Sequence, residues 1–171
     1  MADKQKRLAS LKDNIHTILH GTKEEKAKLV RRHFYLADTP QFIKEKGLRG
    51  DFFSARYGVV ARHDGKDNDH TLTEQNWIDL CEKITWPFAI TRHGGGFRLF
   101  TDVKVDGHNV VVGVEVKNAG KDIVVNSIIT AFGYRNRPVT DEIIYRSKKI
   151  TPEQKAVLSG PNSRQYPSAG A

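Results

Sequence analysis

The sequence predicts an α+β fold, with N-terminal helices followed by a twisted antiparallel β-sheet, a meander of four or more strands with helices packed on one face. A change of hydrophobic period supports this prediction. Apolar residues near the N-terminus recur at three- and four-residue intervals, whereas those between 88 and 132 alternate with polar residues. Tight-turn sequences separate the alternating segments, which favours antiparallel pairing of consecutive strands.

Two helices are expected first, over 3–20 and 22–35. Thr22 is placed to cap the second helix, which is rich in lysine and glutamate. The apolar stripe of the first helix comprises Leu8, Leu11, Ile15, Ile18 and Leu19. We interpret residues 1–37 as a helical N-terminal segment, an appendage or a partner-binding segment, ahead of a domain over 38–160.

The next part of the chain mixes short elements. A proline near its start and a glycine at its end predict a short helix over 40–47. Residues 52–62 are expected to be extended, and 63–70 to form a polar turn. Thr73 then begins a helix that runs through Ile84 with its apolar residues on one side.

Four strands are expected in close succession. They cover 88–93, 97–105, 110–117 and 122–132. The glycine triplet at 94–96 and the Asp-Gly pair at 106–107 supply tight turns. An extended piece over 142–147 and a short helix from Pro152 complete the fold, and 161–171 is expected to be a flexible tail.

Composition restricts the classes of function. The 171 residues include 28 Lys and Arg against 20 Asp and Glu, a formal net charge of +8, which favours a polyanionic partner such as nucleic acid. Cys81 is the only cysteine, so neither a disulfide framework nor a cysteine-based zinc site is expected. The sequence shows no signal peptide and no apolar run of membrane-spanning length, so we expect a cytoplasmic protein with no membrane partner.

One charge pattern suggests a metal-dependent nuclease. Asp102 precedes Glu115 by thirteen residues, and Lys117 follows on the same strand. An acid followed by Glu-x-Lys on a strand is the skeleton of the PD-(D/E)xK pattern, in which two carboxylates share a metal ion. A metal-dependent DNA nuclease using these three residues is therefore one hypothesis.

The expected hairpin register argues against a shared metal. With a two-residue turn at 106–107, Asp102 faces Val111 and Arg98 faces Glu115. The two carboxylates are then four residues apart along the strand, about 13 Å at 3.3 Å per residue. Oxygen ligands bind small cations at only about 2.1 Å, so the metal-dependent reading becomes the alternative and no metal site is predicted.

The same register groups polar side chains on one face. Arg98, Glu115 and Lys117 form either a solvated cross-strand ion pair or one wall of a phosphate-binding site. On the next strand, Asn126 and Thr130 share a face. Tyr134, Arg135 and Arg137 follow that strand, an arrangement that suits stacking on bases and contact with phosphates.

Several motifs occur in the order of a known family. His70 precedes a helix followed by Pro87, a strand carries Asn126, Thr130, Phe132 and Gly133 as Asn-x-x-x-Ser/Thr-x-aromatic-Gly, and Tyr145 lies in a late extended segment. Over roughly residues 40–168, the chain resembles phage MuF-type C-terminal domains of the barnase–EndoU–colicin–RelE superfamily of metal-independent ribonucleases. Thr130 stands where serine is more usual in that family.

The resemblance implies a toxin-like endoribonuclease without cofactor, in which the ribose 2′-hydroxyl attacks the adjacent phosphate to give a 2′,3′-cyclic phosphate. It implies RNA as substrate and a cognate immunity or antitoxin protein as a candidate partner. We expect His70 to act as general acid or base, and Glu115 to be a second proton-transfer group. Phosphate stabilisation is expected from Arg98, Lys117 and Arg135, and hydrogen bonds to the phosphate from Asn126 and Thr130. Substrate contact is expected from Tyr134 and Tyr145. A non-catalytic nucleic-acid- or protein-binding accessory protein is the second alternative.

Overall fold

The computed structural model describes residues 2–61, 72–135 and 139–159. Its helices are α1 (Ala2–His20), α2 (Lys23–Ala27), α3 (Gln41–Lys44), α4 (Tyr57–Ala61), α5 (Glu74–Lys83) and α6 (Pro152–Ser159). Its strands are β1 (His33–Asp38), β2 (Phe52–Arg56), β3 (Ala89–His93), β4 (Gly96–Val105), β5 (His108–Gly120), β6 (Ile123–Gly133) and β7 (Ile143–Arg146). The α+β class is confirmed.

The strands form one seven-stranded sheet in the order β1-β2-β6-β5-β4-β3-β7. Every neighbouring pair is antiparallel except β2 and β6, which run parallel. The meander from β3 to β6 lies at its centre, as predicted. Asp106 and Gly107, both with positive φ (50° and 81°), make the tight turn between β4 and β5. Positive φ at both central residues is the geometry of a type I′ hairpin turn.

Two predicted elements before the meander are wrong in part. The helix that Thr22 caps ends at Ala27, and the segment His33–Asp38 forms the edge strand β1. Phe34 and Leu36 alternate with more exposed neighbours there, and the alternation buries both against the core. The extended segment expected over 52–62 stops at Arg56 and is followed by α4. The polar turn expected over 63–70 lies outside the described residues.

The main hydrophobic core lies between one face of the sheet and helices α1 and α5. Its strand residues include Leu99, Val110, Val112, Val114 and Ile128, and its helix residues include Leu11, Ile15, Ile18, Trp77 and Leu80. The helix α1 therefore belongs to the same core as the sheet, and the boundary expected between residues 37 and 38 falls within β1.

A smaller core lies on the opposite face. Because successive strand residues point to opposite sides, Phe100 and Val111 face away from α1 and α5 and pack with Tyr134 and with Leu158 of α6. The helix α6 therefore covers the end of this face near Phe100. We call the remainder the open face, the part of the sheet opposite α1 and α5 and beyond the strip that α6 covers.

A bulge changes the predicted register of the central hairpin. Near the turn, Lys104 pairs with Asn109 as expected, but Arg98 pairs with Gly113 instead of Glu115. The shift occurs between Phe100 and Lys104. The predicted cross-strand pair of Arg98 and Glu115 is therefore wrong. Two extra residues in β4 shift the β5 partner of each β4 residue beyond the bulge by two positions.

Candidate functional site

Four cross-strand partners form a row across the open face. Thr91 on β3 pairs with Arg98 on β4, Arg98 pairs with Gly113 on β5, and Gly113 pairs with Thr130 on β6. A Cβ atom at Gly113 would lie 2.7 Å from the Thr130 methyl carbon, so that methyl group occupies the space above the glycine. The missing side chain at Gly113 therefore leaves only its flat backbone between Arg98 and Thr130.

Arg98 is mostly buried, with its side chain 24% exposed, and its Nε–H binds no acceptor among the described residues. Its Nη1 lies 3.8 Å from Asp141 Oδ2, beyond hydrogen-bond distance, and its guanidinium lies 5.6 Å from the Phe132 ring centroid. A cation with unused N–H donors is suited to bind a phosphate oxygen.

Thr91 adds a second unsatisfied polar group beside Arg98. Its side chain is fully buried, and its Oγ1 has no hydrogen-bond partner in the described part of the chain. Buried hydroxyl groups are normally hydrogen-bonded, so an exception calls for a partner such as an ordered water molecule, an ion or a bound ligand. Two neighbouring exceptions on paired strands single out this part of the sheet.

A histidine–aspartate pair lies beside Arg98. His93 Nδ1 is 3.0 Å from Asp141 Oδ2, the same oxygen that faces Arg98. The His93 side chain is half exposed, so its ring remains accessible to a substrate. When His93 donates its Nδ1–H to Asp141, Nε2 carries the lone pair and can accept a proton. This is the arrangement of a general base oriented by a carboxylate.

Sequence reasoning missed both members of this pair. Asp141 follows His93 by 48 residues, and the contact depends on the antiparallel pairing of β3 with β7. The sequence alone reveals no partner for His93, nor for His16, His20, His33 and His108. A strand-end histidine next to the Gly94–Gly96 turn was the only local signal, and it did not distinguish His93 from the others.

Glu115 and Lys117 lie on the same face, one row and two rows further along β5. Glu115 Oε2 is 3.5 Å from Lys117 Nζ, and both side chains are partly exposed. A Cβ atom at Gly96, the cross-strand partner of His93, would lie 3.2 Å from Glu115 Cγ. His93 and Glu115 therefore flank a glycine, as Arg98 and Thr130 do in the neighbouring row.

Asn126 has a structural environment instead of the substrate contact predicted for it. Its side chain is fully buried, its Oδ1 accepts from the Gly50 N–H, and its Nδ2 donates to Thr39 Oγ1 and to the carbonyls of Leu48 and Gly50. These bonds use the amide's oxygen and both of its N–H groups. The residue fastens the loop before β2 to β6 and lies on the helix side of the sheet.

The remaining predicted residues are dispersed. Tyr145 packs against Phe42 on the helix side, with ring centroids 5.3 Å apart. Tyr134 is buried in the smaller core, its ring 5.2 Å from Phe100. Arg135 lies two residues beyond the end of β6 and is partly buried, whereas His70 and Arg137 lie outside the described residues.

The carboxylates of the metal-dependent alternative are not brought together. Asp102 lies in the β4 bulge, where its carboxylate accepts a hydrogen bond from Gln154 of α6. Glu115 lies beyond Gly113 at the other end of the strand pair. Among the described residues, neither belongs to a group of side chains with metal-ligand spacing.

Comparison of the chain with protein-family models, curated proteins and solved structures finds no match. The family resemblance therefore stays a prediction. No helix in the described ranges combines the length and apolar character needed to span a membrane.

Proposed function

We propose that this protein is a metal-independent endoribonuclease whose reaction takes place on the open face, around Arg98 and the His93–Asp141 pair. The observation that carries the proposal is the mostly buried Arg98, whose Nε binds no acceptor in the described part of the chain and which lies next to a carboxylate-oriented histidine. A phosphate oxygen would supply the missing acceptor. The net charge of +8 favours association with a polyanion.

The geometry supports a defined division of roles. His93 Nε2 takes the proton of the ribose 2′-hydroxyl, the 2′-oxygen attacks phosphorus, and the bond from phosphorus to the 5′-oxygen breaks. Asp141 stabilises the imidazolium ion that forms. Arg98 and Lys117 stabilise the charge that develops on the phosphate oxygens, and Thr130 donates a hydrogen bond.

A second group must donate a proton to the leaving 5′-oxygen. Glu115, which flanks Gly96 opposite His93, and His70, to which the resemblance assigns acid–base chemistry, are the two candidates. The products are a 2′,3′-cyclic phosphate and a 5′-hydroxyl. Because no step needs a Lewis acid, we expect activity to persist in EDTA.

The test incubates the full chain with single-stranded RNA and with plasmid DNA, in EDTA and in magnesium, and identifies the RNA ends produced. We expect His93→Gln to lower the rate about 10²–10⁴-fold and Arg98→Gln about 10²–10³-fold, the usual effects of losing a general base and a phosphate-stabilising donor. Arg92→Gln and His33→Gln are the matched controls, since both side chains are exposed and neither lies in the row. The controls should retain the wild-type rate.

Other results would contradict the proposal in distinguishable ways. Cleavage that requires magnesium, and that includes DNA, would favour the metal-dependent alternative. Salt-sensitive RNA binding without cleavage would favour an accessory protein. Undiminished cleavage by both His93→Gln and Arg98→Gln would exclude the open face as the site. Loss in His70→Ala with full activity in His93→Gln would transfer the base role to His70.

A further inference from the structure

A separate cluster of metal-binding side chains joins α1 to α5, on the helix side of the molecule. His16 and His20 lie one turn apart on α1, with ring centroids 5.2 Å apart. Glu74, the first residue of α5, places Oε1 2.7 Å from His16 Nδ1. One potential ligand atom from each of the three residues lies within 4.8 Å of the others.

We propose that His16, His20 and Glu74 form a zinc site that fastens the N-terminal helix α1 to α5. Two imidazoles and one carboxylate are a recurrent protein ligand set for zinc, with water in the fourth position. Two histidines spaced four residues apart project from one side of a helix and can share an ion. Imidazole ligands also favour zinc and the late divalent transition metals over magnesium or calcium.

The geometry requires only small side-chain movements. Ligand atoms about 2.1 Å from a tetrahedral zinc ion lie about 3.4 Å from one another. Binding would therefore lengthen the His16–Glu74 contact by roughly 0.7 Å and draw His20 inward. Both histidines are exposed, so they can change rotamer without disturbing the core.

Charges of both signs lie near the cluster. Hydrogen bonds from Thr22 lower the pKa of the exposed Glu25, and the charges of Lys28 and His16 lower it further. Cys81 does not belong to the cluster. Its thiol donates to the carbonyl of Trp77, and burial raises the pKa of that thiol to about 12.

The cluster lacks the general base that zinc proteases use. In zinc proteases a glutamate general base follows the first histidine of the pair, whereas Thr17 follows His16 here and donates its hydroxyl to the carbonyl of Asp13. The bound ion would instead bridge two helices that pack on the same sheet. This inference is independent of the proposed ribonuclease activity, because the three ligands belong to the helix side of the sheet.

The test titrates Zn²⁺ into the full chain, purified without a histidine tag, by calorimetry and by thermal melting. We expect one equivalent to bind and the Tm to rise with zinc concentration, because a ligand that binds only the folded state stabilises it. His16→Ala and His20→Ala should each weaken zinc binding by at least about 100-fold. Loss of a residue that only hydrogen-bonds to a metal ligand typically weakens binding 10–100-fold, and loss of the ligand itself should cost more. Glu74→Gln should also weaken binding, and His33→Ala, which removes an exposed histidine on β1, should bind as the wild type does.

Cobalt substitution provides a second readout, since Co²⁺ in a four-coordinate site gives strong visible absorption that the His16→Ala variant should lose. The proposal is overturned if the wild type binds no zinc, or if the His16→Ala/His20→Ala double variant titrates like the wild type. It is also overturned if Glu74→Gln keeps full affinity, because the ion would then not join the two helices.

Discussion

At the scale of single residues, Asn126 shows how a polar side chain can serve the fold at a position predicted to contact a substrate. Its side-chain amide hydrogen-bonds to backbone groups of the loop before β2: the Gly50 N–H and the carbonyls of Leu48 and Gly50. Without the amide, these groups would lose those hydrogen bonds. Gly50 itself packs so closely on β6 that a Cβ atom would lie 2.3 Å from the Asn126 backbone nitrogen. The loop therefore depends on both residues.

Replacing Asn126 by alanine should destabilise the protein by about 2–4 kcal/mol, because several buried backbone groups lose their partners at once. Urea denaturation followed by circular dichroism measures the change. The exposed Asn118 on β5 is the matched control, and Asn118→Ala should change the free energy of unfolding by less than about 0.5 kcal/mol. Equal effects of the two substitutions would contradict a structural role for Asn126.

The sequence could not separate this role from substrate binding. The hydrogen-bond partners of Asn126 lie 76 to 87 residues away along the chain, so no local pattern reveals them. The same limitation hid the His93–Asp141 pair. Strand alternation predicted a common face for Arg98, Glu115 and Lys117, and the structure also places them on one face. The predicted common face of Asn126 and Thr130 is wrong, because an extra β6 residue between Thr130 and Ile128 turns Asn126 to the helix side.

At the scale of elements, the β4 bulge decides which residues meet on the open face. Thr101 stabilises it, since its Oγ1 donates to the Val110 carbonyl and accepts from the Val103 N–H. Asn109 contributes by donating its amide to the Thr101 carbonyl. The turn sequence at 106–107 predicted the register near the turn correctly, whereas the bulge depends on side-chain bonds to buried backbone and has no sequence signal of comparable strength.

Two isosteric substitutions on neighbouring strands should therefore differ in their effect on the free energy of unfolding. Thr101→Val should lower the free energy of unfolding by about 1–2 kcal/mol, because it removes two hydrogen bonds from a fully buried hydroxyl. Thr91→Val should leave stability unchanged or raise it by up to about 1 kcal/mol, because the Thr91 hydroxyl is buried without a partner among the described residues. Chemical denaturation of both variants measures the difference, and a loss in Thr91→Val as large as that in Thr101→Val would contradict it.

At the scale of the whole molecule, α1 is part of the main core. Ile15 and Ile18 are 2% and 1% exposed, and the same cluster includes Leu99 and Val112 of the sheet. The apolar stripe predicted the helix and its buried side correctly. It did not predict the partner, because an amphipathic helix packs equally well on its own sheet or on another protein.

Ile18→Ala should therefore destabilise the entire protein by about 2–5 kcal/mol in one cooperative transition, as truncation of a fully buried isoleucine usually does. Val30→Ala removes apolar atoms from a side chain that is 53% exposed and should have little effect. Thermal melting monitored by both far-ultraviolet and near-ultraviolet signals tests the cooperativity. Local fraying of a helix with an unchanged main transition would show that α1 is an appendage.

The amino-acid sequence predicts the α+β class, the central meander, the 106–107 turn and the capped helix at Thr73, because each depends on interactions between residues close in the chain. The three-dimensional structure was needed to establish the parallel β2–β6 pairing, the β4 bulge and the side chains that meet on each face. Those features depend on contacts between distant segments, whose free energy depends on which apolar surfaces and backbone groups are buried together. The two proposed sites, His93 with Asp141 and Arg98, and His16 with His20 and Glu74, both require contacts of this kind.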